Sequence, residues 1–236
     1  MSDTTYILVH GAWGGGWCWR DVGVELTRRD ANWTMLDLPS STHGAHPNTF
    51  LADDAREVIE IAKLDGPVVL VGHSYGGAVV AEAADQIPNL EGLVYVAAFV
   101  PVLGQSVSEA NLEVPNRTLL DEAIEADGSY LRLDPERAAA ALYQDCADDV
   151  AEWAVAQLTS QTIASFRSPR SSFDVDVPSR YVVCMNDRAV DLRIQTMMAS
   201  RCSKMATLDS GHSPMFSHPS ELCDLILTNL RTPRKS

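Results

Sequence analysis

The apolar run Val68–Val71 leads directly into Gly72-His73-Ser74-Tyr75-Gly76 and then into Ala78-Val79-Val80-Ala81-Glu82, which has a helical pattern. No other feature constrains the fold as tightly. A G-x-S-x-G pentapeptide set between a buried strand and a helix calls for a sharp turn that projects the serine hydroxyl at the strand's carboxyl end. Side chains at the flanking positions would strike the neighbouring strand and helix, and the new helix points its first N–H groups at the reacting centre. A glycine-rich structural turn without chemistry is the competing reading. The preceding strand and the additional Gly77 favour Ser74 as a nucleophile.

Similar short apolar runs recur at Tyr6–Val9, Trp33–Leu36, Leu93–Val96, Tyr181–Met185 and Ala206–Leu208. They are too continuous for half-exposed strands and read as parallel strands buried on both faces. Helical patterns lie between them, over residues 49–63 (with Asn48 or Thr49 as N-cap), 75–86, 191–200 and 219–230. Alternation of this kind predicts an α/β fold with about six parallel strands flanked by helices. Residues 101–178 interrupt it: they contain no convincing buried strand, two helical segments (Glu136–Asp145 and Asp148–Leu158), several prolines and many acids. The expectation is a core of residues 1–100 and 179–236, with 101–178 inserted as a helical cap before the fifth strand. The last six residues, Arg231-Thr-Pro-Arg-Lys-Ser, read as a frayed tail.

A serine hydroxyl needs a base and a group to orient that base, and in such a fold both follow the serine, acid first. Of six histidines, His212 and His218 lie late in the chain; His212 leaves the last strand in Asp209-Ser210-Gly211-His212, whereas His218 precedes Pro219 as a cap residue. Asp187, two residues beyond a strand, is the favoured acid, with Asp191 better suited to cap the next helix. A tetrahedral oxyanion needs preorganised donors. One is the backbone N–H of Tyr75; the other belongs to the loop His10-Gly-Ala-Trp-Gly-Gly-Gly-Trp17. That loop does not fit G-x-G-x-x-G, and no G-K-[ST] follows it, so a phosphate cradle is a poor reading. Trp13, Phe99 and Met215 are candidates to line the pocket, against ordinary core packing for each.

With these residues in view, the chain resembles the α/β-hydrolases of the plant methylesterase and hydroxynitrile lyase group, which includes bacterial esterases. The resemblance runs through His10–Trp19, Leu36-Asp-Leu-Pro39, Val71–Gly77, Ala97-Ala-Phe-Val-Pro101, Val183-Cys-Met-Asn-Asp187 and Gly211-His212. It implies Ser74 as nucleophile, His212 as base, Asp187 as orienting acid, and the N–H groups of Ala12 and Tyr75 as oxyanion donors. Lyases of the group carry threonine and lysine where this chain has Gly11 and Ser213. Gly11 is what the esterase branch carries, which places it beside the substrate in an ester hydrolase.

The expected function is therefore a serine esterase acting on a small, largely apolar carboxylic ester through an acyl-enzyme, with no cofactor and no metal. A lactonase, carbamate hydrolase or amide hydrolase would use the same triad. A lyase is disfavoured, and a ligand receptor on the same scaffold is the least favoured reading. A net charge of −14 argues against nucleic acid and anionic membranes as partners, and it favours neutral esters. Five scattered cysteines and no signal-peptide or membrane-helix pattern point to the cytoplasm. Homodimers are frequent in the group, but the sequence identifies no interface.

Overall fold

The computed structural model describes residues 4–115, 117–228 and 230. The core strands are β1 (Thr5–Val9), β2 (Asn32–Met35), β3 (Val68–His73), β4 (Leu90–Val96), β8 (Ser179–Cys184) and β9 (Lys204–Leu208). They form one parallel sheet in the order β2-β1-β3-β4-β8-β9. Alternate residues of each central strand enter different cores. Ile7, Leu70, Tyr95 and Val183 pack with α2 (Leu51–Ile61), α3 (Tyr75–Ala83) and α9 (Leu192–Ala199). Leu8, Val71, Val96 and Cys184 pack with α1 (Arg20–Arg28) and α11 (Pro219–Leu227) on the other face. Burial on both faces is why these strands read as unbroken apolar runs. It does not hold at the edges, where β2 and β9 are half exposed.

The insertion between β4 and β8 is not purely helical. It carries α4 (Val107–Leu112), α5 (Leu119–Ala123), α6 (Pro135–Leu142), α7 (Asp148–Gln157) and α8 (Ile163–Arg167). It also holds a small antiparallel sheet of β5 (Ile124–Asp127), β6 (Tyr130–Leu133) and β7 (Gln161–Thr162). β5 and β6 are short and partly to largely exposed, and β7 is only two buried polar residues, so none carries the apolar signature that marks the core strands. One short helix, α10 (Pro214–Ser217), precedes α11.

Two further details differ from expectation. Helix α1 carries so many charged residues that its apolar stripe of Val22 and Leu26 is hard to see in sequence. The N-cap of α2 is Phe50, not Asn48 or Thr49. Asp53 folds back to accept the Phe50 N–H at 2.8 Å, while the Thr49 hydroxyl donates to His46 O. The tail 231–236 lies outside the described residues.

Candidate active site

The carboxyl ends of β1, β3, β8 and β9 converge on one cleft, the usual place for a site on an open parallel sheet. At the end of β3, Ser74 has φ 52° and ψ −122°, a conformation that costs about 1–3 kcal/mol in a non-glycine residue. The turn is held from both sides. The Ser74 N–H donates to Val96 O at 3.1 Å, and the Ser74 carbonyl accepts from Phe99 N–H at 3.0 Å and Gly77 N–H at 3.1 Å. A Cβ on Gly76 would collide with the His10 carbonyl, and one on Gly72 would lie 2.6 Å from Gly76 O. Tyr75 is the first residue of α3, so its N–H is one of the helix's donors without an intrahelical acceptor.

Past β8 and β9, Asp187 and His212 meet: Asp187 Oδ2 lies 2.8 Å from His212 Nδ1, with both side chains sealed from solvent. A carboxylate only accepts, so the imidazole proton sits on Nδ1 and Nε2 is left to take a proton. Asp187 is further fixed by N–H groups of Ala189 (2.7 Å) and Val190 (3.0 Å) and by Gln195 Nε2 (2.9 Å). Asp191 instead caps α9, accepting the Arg193 N–H at 2.7 Å. The His212 carbonyl accepts from His73 Nε2 at 2.8 Å, and burial together with the nearby His212 drives the His73 imidazole well below its usual range. The insertion grips the same loop, since Asp145 Oδ2 accepts the Gly211 N–H at 2.6 Å. His218 stands apart, 3.8 Å from Asp145.

The loop after β1 supplies the third side. His10 is fully buried and donates from Nδ1 to Gly11 O (2.7 Å) while its Nε2 accepts the Leu38 N–H (3.0 Å). Burial pushes it down to about 4, so it is a neutral strut. Ala12 follows Gly11 in the cleft wall, and Trp13 adopts φ 59°. Ser74 and His212 line the same narrow cleft as Gly11, Ala12, Trp13 and Met215. A Cβ on Gly11 would stand 3.0 Å from Ser74 Cβ and 3.0 Å from His73 Nδ1, so a larger residue there would crowd the serine.

Phe99 is a correction. Its N–H is tied to Ser74 O, and its ring packs into the core cluster between the sheet and α3, not into the cleft. The apolar roof comes from residues that sequence reasoning missed: Leu120, Leu142, Tyr143 and Leu158 of the insertion, and Phe216. Only the end of the α6 pattern, Leu142-Tyr143, carried any signal of this. Gln195 was also missed, because a glutamine inside a helix resembles any other surface residue. Among the described residues, no group of three or more His, Cys, Asp or Glu is arranged to hold a metal.

The family model described as the alpha/beta hydrolase family matches residues 6–225. The alpha/beta hydrolase nvfD of Aspergillus novofumigatus is 30% identical over 98% of this chain and 96% of its own. Methylesterase 7 of Arabidopsis thaliana is 30% identical over 96% of both chains. Among solved structures, a pyrethroid hydrolase from Sphingobium faniae superimposes with a TM-score of 0.83 at 24% identity, covering 94% of this chain and 95% of that one. With a six-stranded parallel sheet, a serine on a strained turn after β3 and an Asp–His pair beyond β8 and β9, the chain belongs to the alpha/beta hydrolase family.

Proposed function

We propose that the protein is a serine esterase cleaving a small, largely apolar carboxylic ester, with residues 101–178 acting as the cap over its site. One observation carries the reading: Ser74 on its strained turn shares a cleft with His212, whose Nδ1 is held by Asp187. Ser74 Oγ attacks the ester carbonyl carbon as His212 Nε2 takes its proton. The N–H groups of Ala12 and Tyr75 receive the oxyanion. Collapse of the tetrahedral intermediate breaks the bond to the alcohol oxygen, which leaves with the proton from His212. A water then gives its proton to His212 and attacks the acyl-enzyme; the acid departs and Ser74 regains its proton.

The similarity to methylesterase 7, whose name states ester cleavage, supports the reading. The mainly apolar roof favours an apolar acyl or alcohol group. Gly11 disfavours cyanohydrin cleavage, because it leaves no hydroxyl over Ser74. Cytoplasmic residence fits five free cysteines, and no helix among the described residues is long and apolar enough to cross a membrane. The test is a panel of p-nitrophenyl esters of increasing acyl length, with lactones and aryl carbamates, on wild type and Ser74→Ala. Ester turnover lost in Ser74→Ala is expected. A flat result across the panel overturns the proposal, and turnover of lactones or carbamates alone reassigns the substrate class.

A further inference from the structure

Asp54 is a fully buried carboxyl on α2, away from the Asp187–His212 pair. It accepts the Ser40 N–H at 2.9 Å on Oδ1, and on Oδ2 the hydroxyls of Ser40 (2.5 Å) and Tyr75 (2.6 Å). Ser40 Oγ in turn accepts from Gln161 Nε2 at 2.7 Å, whose other hydrogen goes to Ser165 Oγ at 2.7 Å. Gln161 Oε1 accepts the Trp13 N–H at 3.3 Å. This buried chain therefore begins on Tyr75 and ends on Trp13, the neighbour of Ala12. Those two ends adjoin the two donors assigned to the oxyanion.

The direction of every bond in the chain follows from the carboxylate. An ionised Asp54 can only accept, so the Ser40 hydroxyl must donate to it and is left to accept from Gln161. Gln161 must then present its NH₂ to Ser40 and its carbonyl to Trp13. Trp13 needs such a hold: it sits at φ 59°, and its carbonyl is also bound, by Thr159 N–H at 2.8 Å. Burial raises the Asp54 carboxyl to about 6, with Ser40 and Tyr75 donating to it and the Asp53 carboxylate beside it on α2. A polar network this deep is costly unless fully satisfied, and when satisfied it fixes geometry.

We infer that Asp54 is a positioning residue for the oxyanion hole, setting the polarity of the chain Tyr75–Asp54–Ser40–Gln161–Trp13 so that the Tyr75 and Ala12 N–H groups are held at the spacing the tetrahedral intermediate requires. The inference rests on the esterase reading. An asparagine at 54 would turn a donor toward Ser40 and Tyr75, reverse the chain and set the Gln161 NH₂ against the Trp13 N–H.

The experiment compares a p-nitrophenyl ester with its thiono counterpart, whose C=S accepts hydrogen bonds weakly, so the oxo-to-thiono rate ratio reports on the donors. The proteins are wild type, Ser74→Ala, Asp54→Asn, Gln161→Met and Val58→Ala, a core truncation on the same helix. Asp54→Asn and Gln161→Met should lower kcat for the oxo ester by about 10- to 100-fold with KM within about twofold, and lower the ratio by about tenfold. Val58→Ala should reduce Tm and leave the ratio unchanged. If Asp54→Asn does not fold, Gln161→Met decides. Folded variants that keep the wild-type kcat and ratio, or an equal ratio change in Val58→Ala, overturn the positioning role alone. Equal rates in wild type and Ser74→Ala bring down the esterase reading, and this inference with it.

Discussion

His212 Nδ1 lies 2.8 Å from Asp187 Oδ2, and the same oxygen is 2.9 Å from Gln195 Nε2. Two groups thus share one carboxylate oxygen in a dry site, and the second comes from α9, a helix outside the usual Ser–His–Asp triad.

Asp187→Asn keeps the shape but offers an NH₂ to Nδ1, which stabilises the tautomer with its proton on Nε2. Turnover should fall by about 10³- to 10⁴-fold with the fold intact, read from kcat and far-UV circular dichroism. Gln195→Leu acts differently. It strips the Cys184 N–H of its acceptor (2.9 Å) and Asp187 of a donor, and should cost about 2–4 kcal/mol of stability in urea melts with a smaller loss of kcat.

Buried groups make stability depend on pH with opposing signs. His10 is held neutral at about 4, below the 6.5 of an unfolded histidine, and His73 is shifted the same way. The unfolded chain binds more protons there, so their contribution is full above pH 6.5 and is lost as pH falls, on the order of 3 kcal/mol for His10 by pH 4. Asp54, raised from 3.8 to about 6, works against this: its contribution is full below about pH 4 and is lost as pH rises through 6. The unfolding free energy should therefore drop between pH 6.5 and 4, and drop more steeply in Asp54→Asn. Urea melts across that range check it; a shallower slope in the variant refutes the assignment.

Glycines should divide by their surroundings. Gly76→Ala would drive a methyl into the His10 and Val9 carbonyls, backbone atoms of β1 and its loop that cannot swing aside. It should cost more than about 3 kcal/mol or prevent folding. Gly44 has φ +82° with nothing within 4 Å of an added Cβ, so Gly44→Ala should cost only the backbone strain, about 1 kcal/mol. Thermal melts of the two variants test the contrast.

The core was legible because central strands buried on both faces leave unbroken apolar runs, and because the glycines around Ser74 are demanded by backbone contacts that other side chains would violate. Asp187 and His212 were legible from their places after strands. The roof was not: Leu120, Leu142, Tyr143 and Leu158 reach the cleft through folding of the insertion, and no local spacing announces that. Phe99 was misplaced for the same reason, since a residue just after a strand can face either the cleft or the core. Asp54 looked like one acid among many in α2, and only tertiary contact with Ser40 and Tyr75 distinguishes it.

Charge on the insertion bears on substrate choice. Residues 101–178 hold fourteen Asp or Glu against five Arg and no Lys, so about a third of the chain carries most of the net charge of −14. Several of the arginines are already paired, Arg132 with Asp127 at 2.9 Å and Arg170 with Asp174 at 2.7 Å. Exposed acids such as Glu125, Asp148, Asp149 and Glu152 thus give the cap a negative field, which repels an approaching carboxylate and leaves a neutral ester unaffected. A p-nitrophenyl methyl adipate and its free half-acid share length and leaving group and differ by one charge. At low salt the neutral diester should show a kcat/KM about 3- to 10-fold higher. The gap should narrow as salt is raised to about 0.5 M, because screening at that ionic strength shortens the field to a few ångströms. A preference for the half-acid, or a gap that salt does not change, would mean that contacts inside the cleft, not the field of the cap, choose the substrate.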